Sequence, residues 1–362
     1  MHNSMIYALD KALGRIQRIQ MEMATGKRVL RPSDDPAGTS RILALRRQMD
    51  DNAQYQRNIA DGLRWNTLAE GSLTTVTDIL MQMKDYAVRG ANESTETRKE
   101  MGVSVDQLFE EILDQSRARI DGRFLFSGFN SFTAPFVAES DVTDETFTAA
   151  AVGTAVDLDH ARIANGSVVV TDLSGSTTYT EGVDYTIDYD TGRLTLATGS
   201  GMVAGTDYLV SYTTEGTSSV EAAEDIEGSI VRQIDRDRRM TVNFLGTDVF
   251  QGDVDVFQLG IDLKNALWRD DPEAVRGLLD TIDSAITQIT EKLGLAGTRA
   301  QNLEHQQLWL ESDEVTLHSF ISDIESADLA EAVVRLQSEQ MAYESALATT
   351  ARIMQSSLVN YL

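Results

Sequence analysis

Both ends of the chain carry amphipathic helical patterns whose apolar seams have no local partner. Near the C-terminus, Leu329, Val333, Leu336, Gln340, Tyr343, Leu347, Thr350, Met354 and Tyr361 follow steps of four and three, with Leu358 beside them. At the N-terminus, Met5, Leu9, Ala12, Ile16, Ile19 and Met23 keep the same rhythm. That is the heptad spacing of a helix that packs along another helix. A seam running to the last residues implies a partner outside the fold, so the expected role is assembly and not chemistry.

The rest of the composition narrows the class. A chain of 362 residues exceeds the size at which one core keeps growing, which predicts two or three domains. No stretch approaches the ~20 apolar residues of a membrane span. The opening residues lack the compact apolar segment and cleavage site of a secretory signal. Cysteine is absent, which removes disulfides and thiolate chemistry. A net charge of −26 disfavours nucleic acid or an anionic membrane as the main partner. The charge is uneven: residues 1–50 hold nine Lys/Arg against five Asp/Glu, and residues 138–230 hold two against seventeen.

The periodicity predicts a mainly α protein with a β-rich insert. Gly26 should end the first helix, and Asp35 with Pro36 should start the second, because Asp caps free N–H groups and Pro needs none at the first helical position. Helical spacing then continues to about Gly90 and resumes from Thr95 to Ile120. Between Phe136 and about Met240 it gives way to alternation. Tyr185, Ile187 and Tyr189 should pair across Asp190-Thr191-Gly192 with Leu194 and Leu196, and Tyr208, Val210 and Tyr212 should share one face. Helix returns near Val254, restarts at Asp271-Pro272, and is expected to loosen at Gly294 and Gly297. The expected divisions are 1–40 (assembly helix and connector), 41–136 (helical rod), 137–240 (acidic β insert), 241–314 (rod again) and 315–362 (assembly helix). The N- and C-terminal flanks should pair as a long antiparallel helical rod with the insert at its far end.

Several short motifs occur in order. Gly26-Lys-Arg-Val-Leu-Arg-Pro-Ser-Asp-Asp-Pro-Ala-Gly38 resembles the N-terminal signature of the flagellin superfamily. The form Arg31-Pro32-Ser33-Asp34-Asp35-Pro36 resembles its hook–filament junction branch. Gln56-Arg-Asn-Ile59, Gly122-Arg-Phe-Leu-Phe-Ser-Gly128, Gly297-Thr-Arg-Ala-Gln-Asn-Leu-Glu304, Ser326-Ala-Asp-Leu-Ala-Glu331 and the ending Ser356–Leu362 agree with it. The resemblance covers roughly 1–136 and 225–362. It implies a flagellin-like fold and a structural role in the bacterial flagellum, outside the cell, after export without a cleaved signal. It also implies as partners hook-associated protein 1, flagellin, further copies of the chain in a ring, and a cytoplasmic export chaperone on the C-terminal helix.

Other readings are weaker. His2, His160, His305 and His318 are scattered, and no zinc, phosphate-loop or nucleophile-elbow pattern occurs, so neither an enzyme nor a cofactor or metal is expected. Asp188, Asp190 and Gly192 resemble part of a calcium loop, but Gly199 stands where its last carboxylate belongs, which favours a hairpin turn. Asp34 and Asp35 are better explained by helix capping than by metal binding or acid–base chemistry. Arg28 and Arg31 fit a neighbouring-subunit contact or a solvated connector equally well. A filament-forming flagellin is one alternative, and an adhesin-like insert is another. Trp65, Trp268 and Trp309 all fall in expected helices, leaving only tyrosines in the insert to stack on sugars. Phe124, Phe126 and Phe129 should be core at the base of the insert. The segments before about Thr39 and after about Val315 should be loosely held in the free monomer and ordered by assembly.

Overall fold

The computed structural model describes residues 2–92 and 95–359, with side chains described for 6–92 and 97–351. The chain divides into two compact units, Met1–Arg57 with His305–Leu362, and Asn58–Glu304.

In the first unit, α1 (His2–Thr25) ends at Gly26, whose φ of 67° is the left-handed conformation that stops a helix. The long α2 (Pro36–Gly90) starts where Asp35 accepts a hydrogen bond from Gly38 N at 2.8 Å. α6 (Pro272–Glu325) and α7 (Leu329–Val359) supply the other half of the unit, and α1 packs on α7. The stretch of α2 before Arg57 runs antiparallel to the end of α6: Arg46 meets Glu325 at 3.1 Å and Asn52 meets Asp313 at 2.8 Å.

α6 does not loosen at Gly294 and Gly297; it is one helix of 54 residues. Each glycine costs about 1 kcal/mol relative to alanine. Burial of Ile289, Ala296, Leu303 and Leu310 on one face outweighs that. The break falls later, at Ser326–Asp328, where Asp328 caps α7 by accepting from Ala330 N and Glu331 N at 2.9 and 3.1 Å.

In the second unit, the remainder of α2 packs with α3 (Thr95–Ser116), α4 (Gly246–Phe250), α5 (Val256–Trp268) and the first part of α6. α2 and α6 are antiparallel here too, with Lys84 and Arg276 reaching Asp283 and the Ala91 carbonyl, respectively. α3 ends at Ser116, short of the expected Ile120, because β1 (Arg119–Ile120) and β2 (Arg123–Phe124) turn back through Asp121 and Gly122, both at positive φ. Phe126, Phe136, Phe250 and Phe257 form an aromatic centre, with Phe136 and Phe257 centroids 4.7 Å apart. Phe124 and Phe126 are buried as expected, but Phe129 is 70% exposed. Its loop is held instead by backbone contacts: Phe129 N donates to Glu227 O at 3.1 Å.

The insert enters on β3 (Phe136–Glu139) and β4 (Asp141–Thr148), followed by β5 (Ala155–Asp157), β6 (Val169–Asp172), β7 (Thr178–Tyr179), β8 (Tyr185–Asp188), β9 (Arg193–Leu196) and β10 (Asp207–Thr213). It leaves on β11 (Ser219–Ala222), which pairs antiparallel with β3, and β12 (Val231–Gln233) pairs with β13 (Arg239–Thr241). The sheet orders are β4-β10-β6-β7 and β5-β9-β8. The expected hairpin forms in the expected register, Tyr185 opposite Leu196 and Ile187 opposite Leu194. Tyr208, Val210 and Tyr212 bury one face with Phe147, Leu158, Val170 and Tyr185 in a core separate from the aromatic one. Asp188 accepts from Asp190 N and Thr191 N, so this motif builds the hairpin turn.

The insert is fastened to α5 and α3. Asn265 accepts from Ala161 N at 3.1 Å and donates to Asp159 O at 3.2 Å. Arg269 donates to the carbonyls of Thr191 and Leu158. Lys264 donates to Thr217 O at 2.7 Å and pairs with Asp106 at 3.0 Å. Gly192, at φ 66°, lets the hairpin turn come so close that a Cβ there would collide with the His160 carbonyl oxygen.

Candidate assembly surface

The connector motif builds a joint inside the first unit. Arg31 N donates to Asp34 Oδ2 at 2.9 Å, and Asp34 N donates back to Arg31 O, closing a tight turn that Pro32 and Ser33 cap at the surface. Asp34 also pairs with Arg18. Asp35 caps α2 and lies 3.6 Å from Arg28. Arg28 N donates to Glu325 O at 2.7 Å and Ala327 N to Gly26 O at 2.9 Å, an antiparallel bridge between Lys27 and Ser326. Asp34 and Asp35 thus organise backbone, and Arg28 is a joint residue whose side chain also donates to Ile324 O. The Arg31 side chain faces solvent.

Glu325 is the electrostatic centre of this joint. Lys27 reaches it at 2.7 Å and Arg46 at 3.1 Å. Burial would raise its pKa, but the hydrogen bonds and charges of Lys27 and Arg46 prevail and hold it below the usual glutamate value.

The N-terminal row lies on α1, which packs on α7 of the same chain. Ala12, Ile16 and Ile19 are buried, and Leu9 and Met23 are half-buried. The α7 side is displaced from the predicted frame. Ala332, Leu336, Glu339, Tyr343, Ala346 and Thr350 turn inward, again in steps of four and three. Of the predicted seam, Leu336, Tyr343 and Thr350 lie on that face. Leu329, Val333 and Leu347 lie off it, at 51%, 38% and 44% exposure, as does the exposed Gln340. Two ion pairs accompany this rotation: Glu339 meets Arg15 at 2.9 Å, and Arg335 meets the buried Glu22 at 2.8 Å. Met5, Met354, Leu358 and Tyr361 lie outside the described side chains.

This leaves apolar rows facing outward. On α7, Leu329 and Val333 share a flank with Leu347, and Val334 and Met341, seven residues apart, form a second row. On α1, Ile6 and Leu13 are likewise seven apart and exposed, and Tyr7 and Met21, two repeats apart, are exposed too. On α6 of the same unit, Leu308 and Val315 repeat the spacing, with Trp309 and Phe320 beside them. Charge is also polarised there. Residues 36–57 carry four Arg and two Asp, whereas residues 305–325 carry five Asp/Glu and no Lys or Arg. An open apolar groove, lined by Leu45, Ala44, Phe320 and Ile324, lies between Arg41 and Asp323. Sequence reasoning missed the α6 row, although Leu308 and Val315 are legible as a pair seven apart. Among the described residues, no helix is long and apolar enough to cross a membrane, and no group of three or more His, Cys, Asp or Glu could hold a metal ion.

Helical flanks that pair with each other around an inserted β region define a split-helical class of protein. Comparison with known proteins gives the class its family. The model of the bacterial flagellin N-terminal helical region matches residues 1–131, and that of the C-terminal helical region matches 279–362. With both regions at its ends, the chain belongs to the flagellin superfamily. Residues 133–229 match a protein family of unknown function.

Among individual relatives, the flagellar filament 30.7 kDa core protein of Treponema maltophilum is 32% identical over 133 residues, 36% of this chain and 44% of that protein. Flagellar hook-associated protein 3 of Escherichia coli is 30% identical over 121 residues, 33% of this chain and 38% of that protein. The chain thus spans less than half the length of these curated relatives. A solved structure from Vibrio parahaemolyticus, described as a flagellar hook-associated protein, shares the fold at 19% identity and a TM-score of 0.52, covering 81% of this chain and 100% of that one.

Proposed function

We propose that the chain is a structural protein of the bacterial flagellum that forms the hook–filament junction layer, in the manner of hook-associated protein 3. The observation that carries this reading is the set of apolar rows left outside the closed α1–α7 seam. Burying one Leu or Met contributes about 1.5–3 kcal/mol, so several such residues per helix supply enough to hold a neighbour. The inward face of α7 includes the small Ala332 and Ala346 beside Leu336 and Tyr343, and the exposed Leu329, Val333, Val334, Met341 and Leu347 remain for another molecule.

The partners are copies of the same chain in a ring, with hook-associated protein 1 on one side and flagellin on the other. Before export through the flagellar secretion channel, the C-terminal helix is the chaperone's handle. Lateral contact between copies sets the arginine-bearing stretch of α2 in one copy against the acidic stretch of α6 in the next. The groove between Arg41 and Asp323 and the Leu308–Val315 row bury apolar surface in the same contact. In the free monomer the α1–α7 pair is only loosely held, and assembly orders it.

Deletion of the gene tests the role. Intact hooks without filaments, and flagellin shed into the medium, are the expected outcome; a normal filament refutes it. Sequence identity to a filament core protein keeps one second reading, a filament-forming flagellin. Purified protein added to filament seeds separates the two. A junction protein stops after a short layer, whereas a flagellin extends without limit.

A further inference from the structure

Where the insert meets the helices, three side chains form a continuous hydrogen-bonded line. Tyr212, on β10, shares a hydrogen bond with Glu145 on β4. Its hydroxyl also lies 2.9 Å from His160 Nδ1, and His160 Nε2 lies 2.9 Å from the Ser218 carbonyl oxygen. The other carboxyl oxygen of Glu145 accepts from Asp159 N at 2.7 Å. Counting hydrogens decides what this line requires. A carbonyl only accepts, so Nε2 must carry a proton. Two links remain, His160–Tyr212 and Tyr212–Glu145, and the hydroxyl supplies a single hydrogen to them. The missing one sits either on Glu145, as the neutral acid, or on Nδ1, as an imidazolium facing a carboxylate. Both arrangements have zero net charge and hold the same number of protons. The separate side chains at pH 7 hold one fewer, which leaves two acceptors facing each other across one link.

We propose that Glu145, Tyr212 and His160 bind one shared proton at neutral pH, and that this proton locks the insert onto α5. The line joins the elements that do the fastening. His160 lies in the loop whose neighbours Asp159 and Ala161 are clamped by Asn265. Ser218 directly precedes β11, the strand on which the chain leaves the insert. The charged groups around the line come from every element packed on it. Asp159 belongs to the docking loop, Lys264 to α5, and Arg269 follows α5. Asp106 of α3 pairs with Lys264 at 3.0 Å and lies 3.7 Å from Arg162, which also meets Glu215 at 2.8 Å. Glu110 of α3 accepts from Thr217 at 2.8 Å.

Burial pushes the Glu145 carboxyl up; its bonds to Tyr212 and Asp159 and the Arg269 charge oppose that, and the Asp159 charge adds to it. Burial pushes His160 down, helped by Lys264 and Arg269 and opposed by its Ser218 contact and Asp159. Both directions place the shared proton on the Glu145 side. A group raised in the folded state adds stability that is full below its unfolded value and is lost as pH rises through the folded value. Docking therefore weakens on the alkaline side. A second proton on His160 in acid would leave one hydrogen without an acceptor, so docking also passes through a maximum.

The test is amide hydrogen exchange at Asp159 and Ala161 in the full chain, corrected for intrinsic rates, from about pH 5 to pH 9. In the wild type, protection should fall by about tenfold per pH unit where the opened state has released the proton and the docked line still holds it, the slope of one linked proton, and level off once the docked line releases it too. E145Q should remove that slope, because its amide nitrogen donates to Tyr212 while its oxygen still accepts from Asp159. Y212F should lower protection at every pH. An equal slope in E145Q and wild type, or no slope in the wild type, overturns the proposal. Carbon NMR of the Glu145 carboxyl gives an independent reading. Titration together with His160 supports the shared proton, and titration in the ordinary carboxylate range, indifferent to His160, refutes it.

Discussion

Removing Arg335 should damage the terminal helix pair far more than removing the charge of its partner Glu22. The two residues are bonded at 2.8 Å across α1 and α7, but their surroundings differ. The Arg335 side chain is 44% exposed and that of Glu22 is 7% exposed. In R335A the carboxylate stays buried beside the seam without its counter-charge. Breaking a buried pair in this sense costs about 3–5 kcal/mol, and the partial exposure of Arg335 selects the lower end, about 3 kcal/mol. At 1.4 kcal/mol per decade, that is about a 150-fold loss in the pairing equilibrium. In E22Q the buried group is neutral and Arg335 turns to water, so the loss should stay within about 1 kcal/mol. Hydrogen exchange of the α1 and α7 amides measures both. The double variant E22Q/R335A should recover most of the stability lost in R335A. Equal effects of the two single variants, or no recovery in the double, would refute the reasoning.

Other expectations follow from separate parts of the molecule. Leu347→Asp, at a 44% exposed position off the α1–α7 seam, should leave circular dichroism unchanged yet abolish motility and weaken chaperone binding; wild-type motility would exclude this row from assembly. Because Glu325 is held below its usual value in the fold, its contribution is complete above about pH 4.5 and is lost as pH falls through the lowered folded value. Acid titration of thermal stability should thus show a step that E325Q lacks. Gly192→Ala, with its Cβ driven against the His160 carbonyl at positive φ, should destabilise docking of the insert by several kcal/mol, read as faster exchange at Ala161 with α2 protection unaltered. If copies meet through the arginine-bearing stretch of α2 and the acidic stretch of α6, ring formation should weaken as salt rises, followed by light scattering.

Local chemistry was the most legible part of the sequence. Asp35-Pro36 and Asp271-Pro272 start helices where expected, because a capping carboxylate and a proline at the first turn act within a few residues. The Tyr185–Leu196 hairpin has the expected register for the same reason. Features set at long range were harder to see. Gly294 and Gly297 look like a break until the packing of α6 is known. The face that α7 turns inward carries contacts of Arg15 with Glu339 and of Glu22 with Arg335, pairings that span more than 300 residues of sequence. An apolar heptad alone cannot reveal which of two adjacent rows closes first. Phe129 reads as core beside Phe124 and Phe126, yet its loop is held by its backbone, which leaves the ring free to face outward. The clamp of Asn265, Lys264 and Arg269 on the insert has no local signature at all.

The bridge between Lys27 and Ser326 settles an ambiguity that heptads carry by construction. A seam repeating every seven residues fits nearly as well after sliding one helix by a full repeat, so α1 and α7 alone have several competing alignments. Each helix, however, is anchored at one end to a strand-like residue whose hydrogen bonds admit a single pairing, Arg28 N to Glu325 O and Ala327 N to Gly26 O. Slippage by one repeat would carry those atoms about 10 Å apart. The joint acts as a zero mark on a ruler: side chains along the helices measure distance, and this short stretch of backbone says where the measurement begins.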